Sequence, residues 1–156
     1  MADVHVRSVS RKTLLAALVA VASFPSAAFA EPPKRYRCRA RLEREPDRKE
    51  TRTVEVVCED GKTVNGIDGE RDYKTSPPTV MGLSCDFTAK ADVGDGIAVR
   101  LHAVFRTTQV TIVAGLTTIT VTTDVTATLL PGDVSTSALD VNGTPYTLYV
   151  SVKPAV

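Results

Sequence analysis

The stretch Arg35–Leu42, RYRCRARL, alternates without a break. Tyr36, Cys38, Ala40 and Leu42 fall on one side, and Arg35, Arg37, Arg39 and Arg41 on the other. A period of two is the signature of a half-buried strand, because successive side chains of an extended backbone point to opposite faces. Thr53–Cys58, TVEVVC, repeats the pattern with Val54, Val56 and Cys58 together and Glu55 opposite. The charged connection between the two runs holds Glu45-Pro46-Asp47, a turn signal. The spacing predicts a hairpin that sets Leu42 against Val54, Ala40 against Val56 and Cys38 against Cys58. Arg41 then faces Glu55 on the outer side, an opposite-charge cross-strand pair.

Strand signals continue to the C-terminus. Met81, Leu83, Cys85, Phe87 and Ala89 alternate, and Gly94-Asp95-Gly96 turns the chain into Ile97–Arg106. There Ile97, Val99, Leu101, Ala103 and Phe105 share a face opposite Arg100, His102 and Arg106, which reads His102 as a solvent-facing strand residue. Val110–Ala114 is a short apolar run ended by Gly115. Leu116–Leu130 sets Ile119, Val121, Val125, Ala127 and Leu129 against a threonine-rich face, and Pro131-Gly132-Asp133 stops it. Threonine suits a half-exposed strand, so that face needs no special function. Asn142-Gly143 marks a tight hairpin, and Pro145 just beyond it points to a sheet edge. Residues 59 to 79, rich in Gly, Asp and Pro, read as a loop over one end. The sum is an all-β chain: a single antiparallel β-sandwich of about eight strands, immunoglobulin-like or related, with a small barrel as the alternative.

Residues 1–30 read differently. Arg7, Arg11 and Lys12 precede the apolar run Thr13–Ala22, and Ala28-Phe29-Ala30 places small residues before Glu31. This is the layout of a cleavable secretion signal, with cleavage expected between Ala30 and Glu31. A membrane span needs ~20 apolar residues, about twice this core. Ser10–Leu15, SRKTLL, resembles a twin-arginine export signal with Lys12 in the second arginine position, so both export routes stay open. Residues 31–156 then form the exported sandwich, long enough for one domain but not two. The expected location is the periplasm or the extracellular space.

Composition excludes several functions. The chain carries 19 Lys+Arg against 18 Asp+Glu, and losing Arg7, Arg11, Lys12 and Asp3 with the signal leaves it near balance. A global affinity for nucleic acid is therefore not expected. His102 is the one histidine after residue 30, which leaves no histidine cluster for zinc. No catalytic constellation, cofactor motif or metal motif stands out. Asp68, Glu70 and Asp72 have the alternating oxygens of a calcium loop, but Tyr73 and Thr79 stand where such a loop needs glycine and glutamate.

Two further features bear on chemistry. Export and three cysteines predict one disulfide, Cys38–Cys58 from the hairpin, with Cys58–Cys85 between sheets as the alternative. The guanidinium groups of Arg35, Arg37, Arg39 and Arg41, spaced ~6.7 Å apart along one strand face, could contact a polyanion. Nearby glutamates offer them a closer partner, and the row would also protect an edge strand. The expected function is a small exported, non-enzymatic interaction module whose partner is another protein or an envelope component. Edge-like strands at both ends of residues 31–156 would take that partner by strand addition. A structural subunit of a pilus- or coat-like assembly is the alternative. An enzyme using carboxylate or thiol chemistry ranks third, and the oligomeric state is left open.

Overall fold

Alternation becomes two-faced strands. A computed structural model describes residues 31–48, 51–113 and 115–156. The expected signal, residues 1–30 with Ala30 of the expected cleavage site, lies outside the described residues, as do Lys49 and Glu50. Eight strands follow one another with no helix among the described residues: β1 (Arg35–Arg44), β2 (Thr51–Glu59), β3 (Thr63–Asp72), β4 (Thr79–Ala91), β5 (Ile97–Thr111), β6 (Gly115–Leu129), β7 (Val134–Val141) and β8 (Thr144–Pro154). In β1, Tyr36, Cys38, Ala40 and Leu42 are buried while Arg35, Arg37 and Arg39 are exposed. β5 and β8 alternate in the same sense.

The strands form two antiparallel sheets of four, in the orders β2-β1-β8-β7 and β3-β4-β5-β6. Their inner faces meet in one core of Leu42, Leu83, Phe87, Val99, Leu101 and Leu148 with their neighbours. The Phe105 and Tyr146 rings pack 5.4 Å apart across it. The expected β-sandwich is the observed architecture, and it is not a closed barrel. Its connectivity is not the Greek key of an immunoglobulin domain. Within each sheet, strands consecutive in the chain lie side by side, and β8 returns beside β1. This is the order of an up-and-down barrel opened along two seams, β2/β3 and β6/β7.

Several local expectations are revised. The β1–β2 hairpin forms, but its register is two residues from the expected one: Ala40 faces Val54, Cys38 faces Val56, Tyr36 faces Cys58 and Arg39 faces Glu55. A two-residue slip keeps every side chain on its face, so the apolar pattern cannot choose between the two registers. Charge can, because the expected register would set Arg44 against Arg52. In the observed one Arg52 lies opposite Leu42 and reaches Asp68, at 3.7 Å.

β1 and β8 are interior strands paired with each other, from Tyr36–Pro154 to Arg44–Tyr146, so the edges are β2, β7, β3 and β6. Pro145 is the second residue of interior strand β8, at the strand start where proline is tolerated, and its carbonyl accepts the Glu45 N–H. Residues 63–72, expected in a loop, are strand β3, pairing with β4 from Thr63–Thr88 to Asp72–Thr79. The apolar run Val110–Ala114 is no separate strand, since β5 continues to Thr111 and turns there into β6. The Asn142-Gly143 turn is as expected, with φ of 53° and 82°. Among the described residues no helix is long and apolar enough to cross a membrane.

Candidate functional site

The β5–β6 hairpin outruns the rest of its sheet. β4 pairs with β5 only as far as Gly82–Arg106, whereas β5 and β6 continue to pair through Thr111–Gly115. Gly82 is where the ladder ends. It faces Gly69 of β3, both residues have positive φ (126° and 157°), and a Cβ on Gly82 would fall 2.3 Å from the Asp68 carbonyl oxygen. Only glycine permits so close an approach, and only glycine adopts that backbone freely.

Past this point the ribbon projects from the sandwich, with its base braced by the Asn142 side chain, which donates to Gln109 Oε1. Its end is apolar. Val110 is 78% exposed, Ile112 106%, Val113 98% and Leu116 72%. Val110 and Leu116 are direct cross-strand partners and so share a face, while Ile112 and Val113 occupy the turn. No charged residue stands between Arg106 and Asp124. Aliphatic side chains gathered at a projecting end, each worth ~1.5–3 kcal/mol on full burial, are unusual on a surface that meets only water.

The opposite end of the sandwich carries an open groove of about 610 Å³. Tyr36, Ile97, Leu130, Pro131 and Pro154 supply apolar walls, and Lys34, Arg35 and Asp95 add charge. Asp60, in the β2–β3 turn, ties its margins together. Its Oδ1 accepts the Ala91 N–H at 2.7 Å and the Tyr36 hydroxyl at 3.1 Å, and its own N–H donates to the Lys34 carbonyl. The Ala91 and Tyr36 bonds favour the ionised carboxylate and hold Asp60 below the usual aspartate range, against an opposing push from burial. Burial and the adjacent Asp60 push the Tyr36 phenol up.

The outer face of the β3-β4-β5-β6 sheet bears a line of polar residues, one from each strand: Asn65, Asp86, His102 and Asp124. Asn65 Nδ2 donates to Asp86 Oδ1 at 2.7 Å, and His102 Nδ1 lies 2.7 Å from Asp124 Oδ1. His102 is solvent-facing, as the alternation predicted. These groups satisfy one another, and Asp86, His102 and Asp124 line only an open depression of about 250 Å³ on the sheet face.

The predicted site residues fall as follows. Of the arginine row, Arg35 lies 3.8 Å from Glu59, Arg37 3.5 Å from Glu55 and Arg41 3.0 Å from Glu43, with the Arg41 guanidinium 4.9 Å over the Tyr149 ring. The row therefore lies on an interior strand, and three of its members have carboxylate partners. Asp68 Oδ2 accepts the Thr53 N–H at 2.7 Å, and Asp72 Oδ1 accepts the Lys74 N–H at 2.9 Å. The calcium candidates Asp68 and Asp72 thus serve separate local bonds, and neither they nor Glu70 belong to a metal-holding cluster among the described residues.

The cysteines Cys38, Cys58 and Cys85 are all buried and unbonded, so neither the Cys38–Cys58 disulfide nor the Cys58–Cys85 alternative is formed. The register is the reason for the first, since it sets Cys38 diagonal to Cys58 and leaves the two thiols in hydrogen-bond contact. Cys58 Sγ also reaches the Phe87 carbonyl, at 3.7 Å. Burial pushes all three thiols up, Cys85 to about 12 with help from the Asp86 charge. Buried, protonated thiols are poor nucleophiles.

Sequence reasoning missed the ribbon end and the groove. Val110–Ala114 signalled hydrophobicity, but which strand turned there, and how far past its neighbour, was set by pairing. No family model matches this chain, and no curated protein matches it either.

Proposed function

We propose that this chain is a small exported, non-enzymatic interaction module, and that the projecting end of the β5–β6 ribbon is the surface it offers its partner. One observation carries the reading: Val110, Ile112, Val113 and Leu116 stand exposed together on a ribbon free of charge from Thr107 through Thr123. Covering that end would release water from apolar surface without stranding a charge, which is the energetics of an interface centre. Export rests on the pattern of residues 1–30, and the partner is another protein. The test places a photo-crosslinking side chain at Val113, or at Thr88 on the outer sheet face, in protein recovered from the exported fraction. Adducts from position 113 alone support the reading. Equal yields from both positions, or adducts from position 88 only, overturn it.

A further inference from the structure

We infer that the ribbon end docks in the groove at the far end of a second copy of this chain, joining copies head to tail. The inference rests on reading the ribbon as the contact surface, and it names the partner. The two surfaces match in kind. The ribbon end is a narrow convex ridge of Val110, Ile112, Val113 and Leu116. The groove is an apolar-walled concavity of about 610 Å³, with Leu130 still 54% exposed inside it. The Asp60 bonds to Tyr36, Ala91 and Lys34 hold the groove's margins in place before anything enters. A preformed site needs little ordering on binding.

Geometry excludes the chain's own groove as the acceptor. The hairpin pairs through fifteen positions, from Ile97–Leu129 beside the groove to Thr111–Gly115 at the ridge. At ~3.3 Å per residue the two surfaces lie ~45 Å apart along the strands. Ridge and groove can therefore meet only between molecules.

Charge and hydrogen bonding favour the groove over a lipid surface. A ridge without charged residues brings no ion of its own into the groove. In hydrocarbon, the ribbon's own free edges would lose water with nothing to replace it: past Arg106 β5 has no β4 neighbour, and β6 is the terminal strand of its sheet. In a shallow groove only the tip is covered and those edges stay wet. Such a contact joins two different surfaces, so every added copy leaves one ridge and one groove free and the chain of copies stays open.

The experiment is native mass spectrometry of protein from the exported fraction over a range of concentrations, with Val113→Asp and Leu130→Asp. Both positions are exposed, so both variants keep the fold. The wild type is expected to give a ladder of species, and each variant alone only monomer. An equimolar mixture of the two variants has one intact ridge and one intact groove, and it is expected to give a dimer and nothing larger. A mixture that stays monomeric, a mixture that builds longer chains, or variants that assemble like the wild type would each overturn the inference. If the wild type stays monomeric while the probe at Val113 captures a different protein, or phosphatidylcholine vesicles in a Val113-dependent manner, the second copy is overturned. Capture of a different protein leaves the ribbon reading standing, whereas no capture at Val113 overturns both.

Discussion

Gly69 lies directly opposite Gly82 where β3 crosses β4, and a methyl group on either would fall 2.0–2.3 Å from a carbonyl oxygen of the other strand. Gly82→Ala is expected to cost about 3 kcal/mol, adding a backbone clash to the ~1–3 kcal/mol of a side chain held at positive φ. Gly94 also has positive φ, 72°, but nothing lies within 4 Å of its Cβ position. Gly94→Ala should therefore cost only ~1–2 kcal/mol. Urea unfolding of the two variants checks this, and equal losses would mean that the close approach contributes nothing.

Glu43 is the one buried charged residue among those described, at 5% exposure. Its Oε1 sits 3.0 Å from Arg41 Nε, and its Oε2 sits 3.4 Å from Arg48 Nε without a hydrogen bond. Glu43→Gln keeps the shape and removes the charge that both guanidinium groups face. Because Arg41 and Arg48 remain partly in water, the expected loss is about 1–2 kcal/mol rather than the full cost of breaking a buried pair. A variant as stable as the wild type would assign Glu43 to packing alone.

Asp60 gives a pH dependence of definite sign. Its bonds from Ala91 N–H and the Tyr36 hydroxyl lower its pKa in the folded state. The stability they confer is therefore complete above the ordinary value of 3.8 and is lost as pH falls through the lowered one. Asp60→Asn should be less stable at neutral pH and should flatten the stability profile from about pH 5 to 2. Tyr36 acts at the other limit. Its raised pKa confers stability present below 10.0 and lost as pH rises through the folded value. Thermal unfolding across pH, with Tyr36→Phe as the second variant, measures both arms.

The three thiols should resist a maleimide in the native protein at neutral pH and all react in urea, because Cys38, Cys58 and Cys85 are fully buried with raised pKa values. Rapid native labelling would show that the sheets part at one of the seams.

His102→Ala should change stability by less than ~1 kcal/mol, since the His102–Asp124 pair leaves both side chains largely in water, at 47% and 77% exposure. A larger loss would mean that the polar line on the outer face acts as a unit.

What the sequence made legible was parity: which residues of Arg35–Leu42, Ile97–Phe105 and Leu116–Leu129 face inward, and that Asn142-Gly143 turns the chain. Those properties belong to one strand or one turn. Strand β3 was illegible because Asn65, Gly66, Asp68 and Gly69 are poor strand formers. Pairing with β4 holds them extended, and the glycines stand where neighbours come too close for anything larger; a Cβ on Gly66 would lie 2.4 Å from Val54 Cγ1. The β1–β2 register was illegible because a slip of two preserves every face. The ridge was hidden for a related reason. Hydrophobicity in Val110–Leu116 reads as burial until the pairing shows that β4 leaves β5 at Gly82 while β5 and β6 run on together.

The pairing of β1 with β8 bears on how the chain reaches this fold. The β3-β4-β5-β6 sheet is a run of consecutive hairpins, closed by contacts near in sequence. The other sheet has the β1–β8 pair at its centre, starting where Tyr36 meets Pro154, so it cannot be completed until the last strand is available. Contacts that span nearly the whole domain are slow to form. A chain threaded outward from its N-terminus would therefore keep β1 without its inner partner until the end had crossed, and it would fold as a unit only on the far side.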